Sequence, residues 1–171
     1  ATGSLRWLRI YERASGLDLD PRRGQPTAST DFWDANPPIV TEDVLILTPQ
    51  DSPYMYGLDP QTGKRKWQVE RIQGTRAGEA ERLKTLIGLS GRRLAVTGRD
   101  LVFFDVQDGR RVYVAEFPAE EGSIAGRGIV TPDFVFVPTT KGIWKIDGRQ
   151  SLKRLELHKW TDPLVEAGYL F

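Results

Sequence analysis

From Pro37 onward, short apolar runs alternate with polar turns at a spacing too tight for helices. Ile39-Val40 meets the polar Thr41-Glu42-Asp43, and a second apolar run follows at Val44-Leu45-Ile46-Leu47. Pro49-Gln50-Asp51-Ser52-Pro53 then breaks the chain, its two prolines and aspartate marking a loop. Residues 54–59 read as a third strand. The next four, Pro60-Gln61-Thr62-Gly63, read as a turn in which proline presets φ and glycine supplies a positive φ. Residues 64–69 form a fourth strand carrying Trp67. The pattern predicts a four-stranded antiparallel meander over 37–69.

The unit recurs. Residues 85–117 retrace it, with turns at Ser90-Gly91-Arg92-Arg93, Gly98-Arg99-Asp100 and Gln107-Asp108-Gly109. Residues 128–157 repeat it again, with turns at Thr131-Pro132-Asp133 and Thr140-Lys141-Gly142 and a last strand expected at 153–157. Asp59, Asp105 and Asp147 are equivalent and lie 46 and then 42 residues apart; each is followed eight residues later by Trp67, Tyr113 or Leu155. A period of about 40–50 residues with four strands per repeat is the mark of a β-propeller, and the strand patterning excludes the helical arrays of similar period. Thr2-Gly3 with Trp7 matches Thr62-Gly63 with Trp67, so residues 1–10 read as the last strand of a preceding blade. Residues 163–171 match 38–46 and read as the start of a following one. The expected fold is all-β: a propeller segment of about three full and two partial blades. Exposed strand edges are a liability that native folds cover, which favours a segment of a larger ring. A rival reading closes a small ring between the two ends and leaves one strand missing.

Composition narrows the function classes. The 171 residues carry 24 Lys+Arg against 23 Asp+Glu, a formal net charge of +1, which speaks against a general nucleic-acid or membrane-surface binder. With no cysteine there are no disulfides, thiolate nucleophiles, cysteine zinc sites or iron–sulfur clusters. The single histidine, His158, removes multi-histidine metal sites and reads as a surface or interblade residue. No window approaches the roughly 18 consecutive apolar residues of a membrane helix, and no signal-peptide pattern opens the chain at Ala1.

The stretch Leu58-Asp59-Pro60-Gln61-Thr62-Gly63-Lys64-Arg65-Lys66-Trp67 resembles the tryptophan-docking motif of the pyrroloquinoline-quinone (PQQ)-like repeat propellers, Ala-x-Asp-x-x-Thr-Gly-Lys-x-x-Trp. Trp7 belongs to a partial second copy, and Asp105, Gly109 and Tyr113 to a weaker third. The resemblance implies structural duties: Trp67 and Trp7 pack between blades, while Asp59, Thr62 and Gly63 hold the tight turn. It further implies one of two functions. The first is the non-catalytic, BamB-like scaffold type, with protein partners, no cofactor and a periplasmic or otherwise extracytoplasmic place. The alternative is a piece of a quinoprotein alcohol or sugar dehydrogenase holding PQQ and calcium. The absence of the vicinal cysteine pair that many such dehydrogenases carry, and of an assignable calcium set, favours the scaffold.

No catalytic, cofactor or metal residues are assigned. Asp18-Leu19-Asp20 supplies too few oxygens for calcium and reads as a solvated loop. Glu42-Asp43 is a turn pair. Gly122-Ser123-Ile124-Ala125-Gly126-Arg127-Gly128 lacks the Lys-Ser/Thr end of a phosphate loop and reads as a blade-to-blade connection. Two connections, 15–36 and 71–84, are longer than blades require, and long loops on a rigid scaffold tend to carry function. The first holds Arg22, Arg23, Phe32 and Trp33; the second holds Arg71 and Arg76 and is expected to form a short helical turn. Both are expected to leave the rim that carries Asp51 and Tyr54. These eight residues are the candidate partner-binding set, although Phe32 and Trp33 also suit packing against the next blade.

Overall fold

The computed structural model describes residues 3–13, 33–74, 80–147 and 157–160. Within them the chain forms three four-stranded antiparallel sheets and one small hairpin. The first sheet contains β1 (Ile39–Val40), β2 (Leu45–Leu47), β3 (Tyr54–Leu58) and β4 (Arg65–Glu70), in sequence order. After it come the hairpin strands β5 (Ile72–Gly74) and β6 (Ala80–Arg82). The second sheet contains β7 (Thr85–Ser90), β8 (Arg93–Thr97), β9 (Leu101–Asp105) and β10 (Arg111–Ala115). The third contains β11 (Ile129–Val130), β12 (Phe134–Thr139), β13 (Gly142–Asp147) and β14 (Leu157–Trp160). Each is an up-and-down meander. The molecule is an all-β propeller segment with three blade-like sheets.

The same turn chemistry shapes successive sheets. Between β1 and β2, Thr41 accepts a bond from the Val44 amide on its hydroxyl at 2.9 Å and donates its own amide to the Val44 carbonyl at 2.9 Å. Between β11 and β12, Thr131 and Phe134 repeat the pair at 3.0 and 2.8 Å. The turn between β3 and β4 closes with the Gly63 amide on the Asp59 carbonyl at 2.8 Å, and that between β9 and β10 with Gly109 on Asp105 at 2.9 Å. Gly63 and Gly109 hold φ of 68° and 72°, the left-handed region that L side chains avoid.

Side chains alternate across each strand, so a sheet offers one face to each neighbour. Ile46, Met55, Trp67 and Val69 of the first sheet pack against Leu94, Val96, Val102 and Phe104 of the second. Ala95, Leu101 and Phe103 on the reverse of the second sheet pack against Val135, Val137 and Ile146 of the third. Fully burying a side chain of this size stabilises by about 1.5–3 kcal/mol, so these two seams hold the sheets together.

Three elements depart from the sequence reading. The connection expected to turn helically is the β5–β6 hairpin, its register pairing Ile72 with Arg82 and Gly74 with Ala80. The last strand of the third sheet is Leu157–Trp160, beyond the expected 153–157, and the register sets His158 opposite Lys145. His158 is therefore the positional counterpart of Trp67 and Tyr113, and lies eleven residues after Asp147 where the other two lie eight after their aspartates. Leu155, expected in that place, lies outside the described residues. A strand is expected over residues 1–10; residues 3–13 run without a sheet partner among the described residues, yet lie along the first sheet. The glycine-rich run at 122–128 links the second sheet to the third, as expected of a connection, with the Ile124 bridge to Thr139 tying it down. Residues 163–171 and Asp18 and Asp20 lie outside the described residues.

Candidate partner-binding face

Trp7 and Trp67 make the same contact one sheet apart. The Trp7 indole donates to the Pro60 carbonyl at 3.2 Å and covers Gly63. The Trp67 indole donates to the Val106 carbonyl at 2.9 Å and covers Gly109. In both cases the acceptor is the residue after the turn aspartate and the covered glycine is four after it. A Cβ on Gly63 would stand 2.5 Å from the Trp7 ring, and one on Gly109 would stand 2.8 Å from the Trp67 ring. Each turn is fixed from within. The Asp59 carboxylate accepts from the Gln61 amide at 2.9 Å, the Thr62 amide at 2.7 Å and the Thr62 hydroxyl at 2.9 Å. These bonds, the Thr62 amide first and its hydroxyl next, hold the Asp59 carboxyl below its ordinary value. Asp105 accepts from the Gln107 amide at 2.8 Å in the same manner. Tyr113 sits opposite Phe103 with ring centroids 6.4 Å apart.

The opposite rim carries the loop between β2 and β3. There the Tyr11 hydroxyl donates to Asp51 at 2.9 Å, and the Arg13 guanidinium pairs with the same carboxylate at 3.1 Å. The hydrogen bond to Asp51 leads the causes that raise the Tyr11 pKa, with burial and the Asp51 charge adding and Arg13 opposing. Tyr54 stands half-buried beside Tyr56, centroids 6.0 Å apart, and its pKa is raised first by the negative charge of Glu12 and then by burial and Glu70. The β5–β6 hairpin leaves from this rim, because the Arg71 amide bonds the Pro53 carbonyl at 2.8 Å and Leu83 bonds back to Arg71 at 2.9 Å. The face thus presents tyrosines, carboxylates and arginine side by side.

The eight candidate contact residues divide sharply. Asp51 and Tyr54 are on this rim and reach solvent in part. Arg71 roots the hairpin but is itself buried. Trp33 is 1% exposed and packs in the first seam with Ile46, Met55 and Leu86, so its ring is covered and belongs to the core. Arg22, Arg23, Phe32 and Arg76 lie outside the described residues. Tyr11 and Arg13 were missed by the sequence reading; the only signal was their place four and six residues after Trp7, which puts them on the strand face that Trp7 defines.

Glu42 and Asp43 are exposed turn residues. Among the described residues no three His, Cys, Asp or Glu side chains gather as a metal site. No helix there is long and apolar enough to cross a membrane. A cleft of about 290 Å³ opens between residues 7–11 and the first sheet, lined by Trp7, Arg9, Tyr11, Leu47, Tyr56 and Leu58 among others.

No protein-family model matches the chain, and no curated protein sequence matches it. Among solved structures, the crystal structure of BamB from Moraxella catarrhalis is similar at 18% identity and a TM-score of 0.49, over 72% of this chain and 36% of that one. The chain thus spans little more than a third of that structure's length.

Proposed function

We propose that this chain is a non-enzymatic protein-interaction scaffold, a PQQ-like propeller segment working within a larger extracytoplasmic assembly. The observation that carries the reading is the rim on which Tyr11, Arg13, Asp51 and Tyr54 converge beside the root of the β5–β6 hairpin. Tyrosine and arginine are the side chains most often found as anchors in protein interfaces, and here they stand on a rigid sheet end. The propeller family and the extracytoplasmic place come from the docking motif at Asp59, Thr62, Gly63 and Trp67, whose indole and turn contacts suit that resemblance.

A photo-crosslinking residue placed at Tyr54 in the native host tests this. The expected result is a discrete protein adduct from Tyr54 and none from Glu42, which lies on the opposite rim. Absence of an adduct at Tyr54, or equal adducts at both rims, would contradict a docking role for this face. Cofactor-dependent alcohol or sugar oxidation by the complete parent protein, appearing on addition of PQQ and calcium, would replace the scaffold reading with the dehydrogenase one.

A further inference from the structure

Cations gather at one end of the seam between the first and second sheets. The turn between β3 and β4 runs directly into Lys64, Arg65 and Lys66, and the matching turn between β9 and β10 runs into Arg110 and Arg111. Each turn ends in its positive-φ glycine, Gly63 or Gly109, so basic residues hold the same places in two successive repeats. The pairing register shifts beside them, between Gly57 and Leu58 in one sheet and between Arg111 and Tyr113 in the other. Such a bulge interrupts the alternation of a strand. Arg65 and Lys66 are accordingly both exposed, although neighbours on a regular strand point to opposite faces.

The seam joins these turns into one surface. Lys66 precedes Trp67, whose indole bonds the Val106 carbonyl and covers Gly109. Val106 donates its own amide to the Arg92 carbonyl at 3.0 Å, which brings Arg92 into the group. The Arg92 and Arg110 side chains are 74% and 73% exposed. The carboxylates among them serve the turns. Asp59 accepts three bonds within its own turn, Asp105 takes the Gln107 amide, and Asp108 takes the Arg110 amide at 2.9 Å. Arg92 stands 3.9 Å from Asp105 and Arg110 stands 3.9 Å from Asp108, the outer limit of an ion pair. Six cations thus meet three carboxylates in a chain whose formal net charge is +1.

Protection of the sheet edges does not account for this placement. Charges that guard an edge strand are needed along its length. Here β4 continues with Gln68 and Glu70 and β10 with Tyr113 and Val114, while Arg92 lies just ahead of β8, an inner strand. Acidic residues border the group on the same rim: Glu42 and Asp43 at the β1–β2 turn, and Asp133 at the β11–β12 turn of the third sheet.

We infer that this end of the seam binds a short acidic segment of a protein partner, whose carboxylates are received by Lys64, Arg65, Lys66, Arg92, Arg110 and Arg111. Four of the six are arginines, whose planar forks match carboxylates with two parallel hydrogen bonds. The acidic border sets the size and class of the occupant. A nucleic-acid backbone or an anionic bilayer extends past the group and brings its phosphates against Glu42, Asp43 and Asp133, where like charges repel. A short acidic segment stays inside the border and avoids Glu42. The site lies at the opposite ends of the strands from Tyr54, so it is a second contact surface and goes beyond the scaffold reading, sharing only the fold with it.

The test titrates the full chain with a fluorescein-labelled octaglutamate peptide, and in separate arms with phosphatidylglycerol vesicles and with a short DNA duplex. The peptide is expected to bind, more weakly as salt rises, and to move the amide resonances of residues 64–66, 92 and 109–111. That resonance map reads the site without any substitution. Arg65→Glu combined with Arg110→Glu is expected to weaken peptide binding at least about fivefold. Lys84→Glu combined with Lys141→Glu changes the net charge equally at the opposite rim and is expected to leave binding within about twofold. No binding of the peptide, resonance shifts centred elsewhere, equal losses in the two variants, or tighter binding of the vesicles or the duplex than of the peptide would overturn the inference. A failed search for partners at Tyr54 would leave this result as it stands.

Discussion

Trp67 donates its indole N–H to the carbonyl of Val106 at 2.9 Å, across the seam between the first and second sheets. That one bond links the last strand of one meander to the turn of the next. Trp7 repeats it on Pro60 at 3.2 Å, so the contact belongs to the repeat and not to a single site.

Removing the Trp67 ring should be costly, because it is 7% exposed and lies in the first core cluster. Trp67→Ala is expected to lose about 3–5 kcal/mol in denaturant unfolding. Trp67→Phe keeps an aromatic ring but leaves the Val106 carbonyl without its donor, for a loss of about 1–3 kcal/mol. Trp7→Ala should lose distinctly less than Trp67→Ala, since the Trp7 ring is only partly buried. Equal losses at the two positions would contradict the difference in packing.

Gly57 and Trp67 should be energetically coupled. Gly57→Ala forces the ring to move and is expected to destabilise by about 1–3 kcal/mol, as overpacked cores do. In the Trp67→Ala background the same change should cost much less, and a double-mutant cycle measures the difference. Additive effects would show that the ring does not rest on Gly57.

The propeller repeat was legible because short turns recur at similar spacings ahead of Asp59, Asp105 and Asp147, and turn chemistry is local. The rest was not local. Ala80-Glu81-Arg82 has good helix formers, and nothing in it announces pairing with Ile72-Gln73-Gly74; tertiary context overrides propensity there. The last strand escaped because Leu155-Glu156-Leu157 alternates apolar and polar better than Leu157-His158-Lys159-Trp160 does, and the register across β13 decides for the second. Trp33 carries an aromatic signature equally suited to a contact surface or a core, and only its burial separates the two. Of the candidate face, Asp51 and Tyr54 were readable from the loop, while Tyr11 and Arg13 come to Asp51 from forty and thirty-eight residues earlier in the chain.

Acid should act on the turn at Asp59. Its folded-state pKa is lowered from 3.8, so the bonds to Thr62 and Gln61 contribute stability that is present above that value and is lost as pH falls through the lower, folded-state pKa. Asp59→Asn should remove this part of the acid dependence. Carboxyl titration by NMR is expected to place Asp59 below the ordinary aspartate value of 3.8. An Asp59 that titrates at that ordinary value would contradict the hydrogen bonding at this turn.

Asp51 should govern the phenol of Tyr11. Its bond and charge raise the Tyr11 pKa from 10.0, so this contact stabilises the folded state below pH 10 and is lost as pH rises through the higher, folded-state value. Asp51→Asn should bring the Tyr11 titration down, read by phenolate absorbance. Global stability should change by no more than about 0.5 kcal/mol, because the cluster lies at the surface. An unmoved titration would show that the two side chains do not meet in solution.

The most direct test of the repeated docking contact is a set of proton NOEs from the two indoles. The structure predicts cross-peaks from Trp7 to Gly63, and from Trp67 to both Gly57 and Gly109, with the glycine protons shifted upfield by the ring currents. Cross-peaks from Trp67 alone, with Trp7 giving none to Gly63, would contradict the account: residues 3–13 would then not lie on the first sheet.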